Sequence, residues 1–319
     1  MNSSTKMHTL PATEESQFFE DRLDADDIIK THSKSFSLAS CLLPKSIRTD
    51  VRKLYSWCRW CDNAVDEAES PSIASNRLNV MRNDIVRIFD GQEPKLRTSK
   101  WMKQLILKHS IPRHLPLDLL LGMKSDVFFK PLRNQADLET YCYRVAGVVG
   151  KMMCFLFGIK NERALEKANR LGMAMQMTNI ARDVSEDWNR RRCYLPVSWL
   201  KDKHGFSSSV KPSNEYFRTA VAKLLDLAEQ NYQIGYTGYA FLPDNTRLAI
   251  RIAASVYRHI GLKIIASNYQ VLDRRHYVAK SRKIAVCLRE TVAEFSFRVQ
   301  RVFASYRSPF VQSFNRSSK

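Results

Sequence analysis

The chain has 319 residues, a hydrophobic fraction of 44% and a formal net charge of +19 at pH 7. That length suits one large domain or two small ones, and the apolar share excludes a disordered chain. The charge suits nucleic acid, an anionic membrane surface or a polyanionic small molecule. Without zinc-finger spacing or an RNP-like motif, nucleic acid is set aside.

Residues 1–22 read as a flexible leader. They contain no apolar stretch of the signal-peptide kind. Gly (10) and Pro (11) are scarce, so long helices are expected rather than many short strands. Helical spacing covers residues 24–40 and 46–69, and Ser70-Pro71-Ser72 reads as a stop or turn. Further helices are expected over 76–89, 101–110 and 115–129. Residues 138–158 are apolar nearly all round, as in the middle of a bundle. The run 145–159 within this stretch is interrupted by Lys151 and is too short to cross a membrane. Helices over 162–188, 214–236, 243–271 and 280–306 complete the pattern. No linker or repeat divides it, so one all-α domain is expected over 23–306, with a basic tail over 307–319.

The seven Cys are odd in number and lack a paired framework, which points to a reducing, cytoplasmic compartment. Cys58 and Cys61 form a lone C-x-x-C. Without a second pair they read as small buried residues, not zinc ligands.

Two helices carry similar polar stripes. Tyr55, Arg59, Asp62 and Asp66 stand at i, i+4, i+7 and i+11. Gln176, Asn179, Asp183 and Asp187 stand at i, i+3, i+7 and i+11. At 3.6 residues per turn each set returns to one face. The rest of both helices is largely apolar. A solvent face would suit either stripe alone, but such faces carry Lys and Glu rather than these short or planar groups. Carboxylates at i and i+4 converge on hard cations. Mg²⁺ prefers oxygen ligands and shares its shell with substrate phosphates. The chemistry that uses such a pair of stripes is departure of a diphosphate. Arg59 and Arg182 stand ready to contact phosphate oxygens.

At these residues the chain resembles the squalene/phytoene synthase family over roughly residues 26–295. The segments are 32–36 (HSKSF), 55–67 (YSWCRWCDNAVDE), 141–150 (YCYRVAGVVG), 176–187 (QMTNIARDVSED), 193–196 (CYLP) and 275–280 (RHYVAK). The nearest flavour is bacterial phytoene synthase. The resemblance implies an isoprenoid-synthase helical bundle with a deep central cavity. It implies Mg²⁺, with Mn²⁺ able to substitute, on Asp62, Asp66, Asp183 and Asp187, assisted by Asn179. Ser33, Ser35, Arg59, Arg182, Arg275 and Lys280 would hold the diphosphates. Tyr55, Tyr141, Gln176, Tyr194 and Tyr257 would line the reacting centre. The implied reaction joins two geranylgeranyl diphosphates through a cyclopropylcarbinyl diphosphate to give phytoene, with no NADPH. A squalene or dehydrosqualene synthase using two farnesyl diphosphates is the alternative.

Two departures from the family pattern stand out. Asn63 replaces a frequent Asp, and residues 189–192 (NRRR) lack the usual Gly. Near the C-terminus, Arg298, Arg301, Arg307, Arg316 and Lys319 mix with Phe295, Phe297, Phe303, Tyr306 and Phe310. That mixture suits peripheral association with an anionic membrane. Gly147 and Gly150 are expected to permit a close helix contact.

Overall fold

Helix-forming residues fill most of the chain, and a computed structural model describes residues 39–200 and 214–314, with side chains up to Arg301. The helices are α1 (Lys45–Asp66), α2 (Pro71–Phe89), α3 (Arg97–His109), α4 (His114–Val127) and α5 (Gln135–Cys142). A π-helical turn, Tyr143–Gly147, leads without a break into α6 (Val148–Leu156). Then come α7 (Glu162–Asn189), the short α8 (Val197–Leu200) and α9 (Asn214–Tyr236). A 3₁₀ turn, Thr237–Phe241, precedes α10 (Asp244–Ala266) and α11 (Lys280–Phe314). No strand occurs among the described residues.

Most of the expected helices form, with shifted ends. The start of α2 shifts most, to five residues before residue 76. Ser70 is its N-cap, accepting from the Ile73 amide at 3.3 Å, and Pro71 occupies the first turn. Ser-Pro thus starts a helix here, because Pro lacks the N–H that the first turn cannot pair anyway. The last helix runs on past residue 306 to Phe314. The expected helix over 24–40 lies almost wholly outside the described residues.

Helix α7 is the axis of the fold. Its 28 residues span about 42 Å. Ala164 and Leu165 enter one apolar core, shared with α1, α2, α3, α4 and α6. Leu171 to Val184 enter a second, shared with α9 and α10. A residue that serves two cores must be apolar on two sides, which is why α7 keeps only a narrow polar stripe.

Glycine sets the distance between α7 and the segment facing it. A Cβ on Gly150 would lie 2.4 Å from the Ala168 carbonyl oxygen. One on Gly172 would lie 2.5 Å from that of Ala146. Both obstacles are backbone, so neither can swing away. On the other side, a Cβ on Gly122 of α4 would meet Val145 Cγ1 at 2.8 Å. The π-turn is therefore wedged between two helices, and the expected close contact is real. Arg247, fully buried, locks the far end. It donates to the Tyr239 and Leu242 carbonyls and to Glu294 of α11 at 2.9, 2.7 and 2.9 Å.

Gly150→Ala and Gly172→Ala should each destabilise the protein by roughly 1–3 kcal/mol, the scale of overpacking. Urea denaturation reads this out. An unchanged midpoint in both variants would contradict the close approach.

Candidate active site

The two polar stripes face each other across a cleft of about 210 Å³. From α1 come Asp62, Val65 and Asp66; from α7 come Gln176, Asn179, Ile180, Asp183 and Asp187. Met123 and Asp126 of α4, Tyr141 and Val145 close one side, and Arg190, Arg192 and Tyr194 close another. Eight of the residues expected at the site line it: Asp62, Asp66, Tyr141, Gln176, Asn179, Asp183, Asp187 and Tyr194.

Arginines neutralise part of the acidic set. Arg182 grips Asp183 with two bonds, Nε to Oδ1 at 2.8 Å and Nη2 to Oδ2 at 2.5 Å. Arg275, on the arm after α10, reaches Asp183 Oδ1 and Glu186 Oε2, both at 2.8 Å. His276 anchors that arm through Nε2, 2.6 Å from the Gln270 carbonyl. Across the cleft, Arg190 and Arg192 donate to the two oxygens of Asp66 at 3.2 and 2.8 Å. Arg59 stands 3.6 Å from Asp62, a looser contact.

Asp62 and Asp187 are left with the least compensation. The Asp62 side chain is 38% exposed to the cleft, yet protein crowds it on its other sides. That burial, reinforced by Asp66 and Asp126 against Arg59, pushes its pKa up to about 7. Burial, with Asp183 and Glu186 beside it, raises Asp187 to about 7 as well.

Asp126 was not anticipated. It is buried and accepts from Tyr194 Oη at 2.9 Å and Tyr141 Oη at 3.1 Å. The two rings stack at 4.7 Å. Burial raises Asp126 to about 6, although Arg192 and both tyrosine bonds oppose the rise. The acid thus fixes the expected pair Tyr141 and Tyr194 as one unit. A single Asp on the apolar face of α4 was the only signal in the sequence.

Arg190 and Arg192 were also missed as site residues. Their placement follows from how α7 ends. Arg191 adopts φ 57°, the Arg191 amide bonds the Trp188 carbonyl and the Arg192 amide bonds that of Asp187. This is a Schellman turn with Arg where Gly is usual. The missing Gly costs strain but leaves the turn intact, and it aims Arg190 and Arg192 back at Asp66. Asn63 is buried and does not line the cleft, so its replacement of Asp leaves the acidic face unaltered.

Other expected residues lie elsewhere. Tyr55 is half-buried on α1 and does not line the cleft. Tyr257 is half-buried in the second core, close enough to Arg182 to act on it electrostatically. Lys280 is exposed at the start of α11, away from the cleft lining. Its position at a helix N-terminus, pointing to solvent, explains the difference. Ser33 and Ser35 lie outside the described residues. Cys58 and Cys61 are free thiols on α1, and burial holds both well above the usual thiol pKa.

The architecture is that of the isoprenoid-synthase helical bundle, with acidic stripes from two helices facing across a polar cleft. It is similar to a solved dehydrosqualene synthase bound to a ligand, with a TM-score of 0.76, 26% identity, and coverage of 89% of this chain and 99% of that one. The fold is also that of squalene synthase HpnC from Alicyclobacillus acidocaldarius, at a TM-score of 0.69 and 20% identity over 82% of this chain and 97% of that one. The chain belongs to the squalene/phytoene synthase family, which matches residues 29–282. It is 38% identical to a phytoene synthase of Pseudescherichia vulneris over 80% of this chain and 86% of the relative. It is 34% identical to a 15-cis-phytoene synthase of Paracoccus sp. over 83% and 88%.

The raised carboxylates set a pH dependence for the metal-free protein. Their folded pKa values, about 7 for Asp62 and Asp187 and about 6 for Asp126, exceed the ordinary 3.8. The folded state then binds more protons than the unfolded state. Their stabilising contribution is full below about pH 4 and is lost as pH rises through 6 to 7. In EDTA, the D62N/D187N variant should therefore lose less Tm than the parent between pH 5.5 and 8, about the window these values define. Equal losses in parent and variant would contradict the assignment.

Proposed function

We propose that this chain condenses two geranylgeranyl diphosphates head to head, through a cyclopropylcarbinyl diphosphate, to phytoene, with release of diphosphate. The observation that carries the reading is the pair of facing acidic stripes, each already engaged by arginines. The similarity to bacterial phytoene synthases supports the choice of product.

Mg²⁺ suits the donor set. All candidate ligands are oxygens, and Asn179 Oδ1 is buried without a partner in the cleft wall. Among the described residues no three His, Cys, Asp or Glu side chains converge enough to hold an ion alone. That agrees with a cation which takes one or two carboxylates and completes its shell with water and substrate phosphate. Asp62 and Asp66 on one side, and Asp183 and Asp187 with Asn179 on the other, would hold it. When bound, it stabilises the charge that develops on the departing diphosphate.

The arginines explain how the cleft exchanges partners. Arg182 and Arg275 hold Asp183, while Arg190 and Arg192 hold Asp66. A diphosphate offers guanidinium a better set of acceptors than one carboxylate. Arginines that turn to phosphate free the carboxylates for the cation. Tyr141 and Tyr194, held by Asp126, form a polar-tipped aromatic wall beside the reacting carbons. The hydride chemistry of a nicotinamide has no part in this sequence.

The finer placement is at a membrane surface, where a hydrocarbon product can leave. No described helix is long and apolar enough to cross a membrane. Yet α11 exposes an apolar stripe: Ile284, Leu288, Val292 and Phe295 are 62, 65, 66 and 69% exposed. Their spacing of four, four and three puts them on one face. Arg282, Arg289, Arg298 and Arg301 are exposed along the same helix, which suits anionic lipid.

Asp62→Ala, Asp66→Ala, Asp183→Ala and Asp187→Ala should each lower turnover by at least about a hundredfold, the scale of losing a major electrostatic stabiliser. Product analysis with C15 and C20 diphosphates supplied separately, with Mg²⁺ and with or without NADPH, tests the reaction. A C40 hydrocarbon formed without NADPH is expected. Clearly higher efficiency with the C15 substrate would reassign the enzyme to the dehydrosqualene class, and an NADPH requirement would remove the phytoene mechanism.

For the membrane reading, L288D/F295D should sediment with phosphatidylglycerol-containing vesicles at least about tenfold more weakly than the parent, since each buried apolar side chain contributes about 1.5–3 kcal/mol. Equal binding of parent and variant, or of neutral and anionic vesicles at low salt, would count against it.

A further inference from the structure

A second cavity, of about 440 Å³, lies between the 3₁₀ turn, α10 and α11. It shares no lining residue with the catalytic cleft. Its size falls in the range of small-molecule sites, about 300–1,000 Å³. One wall carries Arg251, Arg258 and Arg289; the other carries Tyr236, Tyr239 and Phe297.

The arginines are only partly used by the protein. Glu290 takes Arg251 at 2.9 Å and Arg289 at 2.8 Å, and accepts from Ser255 Oγ at 2.7 Å. Glu229 takes two bonds from Arg258, at 2.7 and 2.9 Å. Three guanidiniums therefore share two carboxylates. The bonds to the carboxylates use Nε and Nη2 of Arg251 and Arg258 and Nη2 of Arg289. Glu290 already receives four contacts from three side chains, which fills its acceptor capacity.

A second observation points to a ligand. Tyr239 is only 8% exposed, and its hydroxyl is buried without a partner. A buried donor left unpaired is costly unless something supplies an acceptor. The Tyr239 ring stacks on Tyr236 at 5.3 Å and carries the Arg251 guanidinium 5.1 Å from its centroid. The Tyr239 backbone is fixed too, because its carbonyl accepts from buried Arg247.

We infer that this cavity is a second, non-catalytic binding site for a phosphorylated amphiphile. The phosphate meets the spare guanidinium donors and the Tyr239 hydroxyl. The apolar body lies on the tyrosine rings and Phe297. Guanidinium forks favour phosphate over a simple point anion. The position beneath α11 makes two sources accessible: an acidic phospholipid, or a free prenyl phosphate.

The test is calorimetric titration of the full chain with dioctanoyl phosphatidic acid in EDTA, which prevents turnover. One molecule should bind at this site in the parent. Arg289→Gln combined with Tyr239→Phe should weaken it about tenfold or more, the loss of two hydrogen bonds to an anion. Phytoene formation at saturating substrate should stay unchanged. Tyr239→Phe alone removes only an unpartnered hydroxyl, so the fold survives and the single variant still reports on binding. Binding by the double variant as tight as the parent's would overturn the site. So would equal binding of dioctanoylglycerol, which lacks the phosphate, or of inorganic phosphate, which lacks the tail. Displacement by geranylgeranyl diphosphate would assign the soluble source, and failure to displace would assign the lipid; either supports the site.

Discussion

Like charges placed across a narrow cleft repel, and the remainder of the site is arranged around that repulsion. Among the described residues, Asp62, Asp66, Asp126, Asp183, Glu186 and Asp187 gather where two helices face each other. In a low-dielectric setting such a group either takes up protons or finds cations. Both responses are present. Arg182, Arg275, Arg190 and Arg192 pair directly with acids, while Asp62, Asp126 and Asp187 respond with raised pKa values. The protein is strongly basic overall, yet its acids concentrate here. A polyanionic substrate would not enter a purely acidic cleft, and a purely basic one could not hold a divalent cation. On the reaction proposed above, the alternation of Asp and Arg would meet both needs, with arginines passing from carboxylate to phosphate.

One wall of the cleft is placed by backbone contacts. Gly150 and Gly172 let the segment after α5 approach α7 until Cβ-sized groups would collide with carbonyls. The π-turn at Tyr143–Gly147 adds a residue to that segment within the same space. Such bulges re-aim side chains and recur at functional sites. Here the turn sits between Tyr141 and α6, and both Tyr141 and Val145 reach the cleft wall. The aromatic unit on Asp126 is thus held from one side by the bulge and from the other by the loop carrying Tyr194.

The helical class and the two stripes were legible because they depend on local periodicity. Asp62 and Asp66 share a face by spacing alone, and so do Asp183 and Asp187. What lay hidden depends on contacts between distant segments. Asp126 becomes informative only when Tyr141 and Tyr194, 15 and 68 residues away, converge on it. Arg190 and Arg192 reach Asp66 across 124 and 126 residues. Their aim comes from a left-handed Arg191, which no propensity scale favours. Tyr55 shows the opposite error. It holds the first place on its stripe, but the cleft begins at Asp62, nearly two turns later. A shared face does not ensure that every turn of that face meets the same partner. Ser70-Pro71-Ser72 reads as a stop or turn because Pro breaks helices, although the fixed φ of Pro equally suits a first turn.

Helix α11 joins the second cavity to the outer surface. Its inner side sends Glu290 to Arg251 and Ser255, and Glu294 to buried Arg247. Its outer side carries the exposed stripe from Ile284 to Phe295. Its buried side thus carries carboxylates, while its exposed side mixes this apolar stripe with Arg282, Arg289 and Arg298. The inward carboxylates pair with Arg247 and Arg251 of α10, one turn apart, and with Arg298 and Arg289 of α11 itself. Removing Arg247 would leave Glu294, buried in the core, with Arg298 as its remaining cation. The Glu290 pairs form one wall of the second cavity. Burial of the stripe in lipid and occupancy of that cavity would therefore act on one rigid element, while the catalytic stripes lie on α1 and α7. If α11 meets a membrane as proposed above, that separation would leave the Asp–Arg balance in the cleft undisturbed.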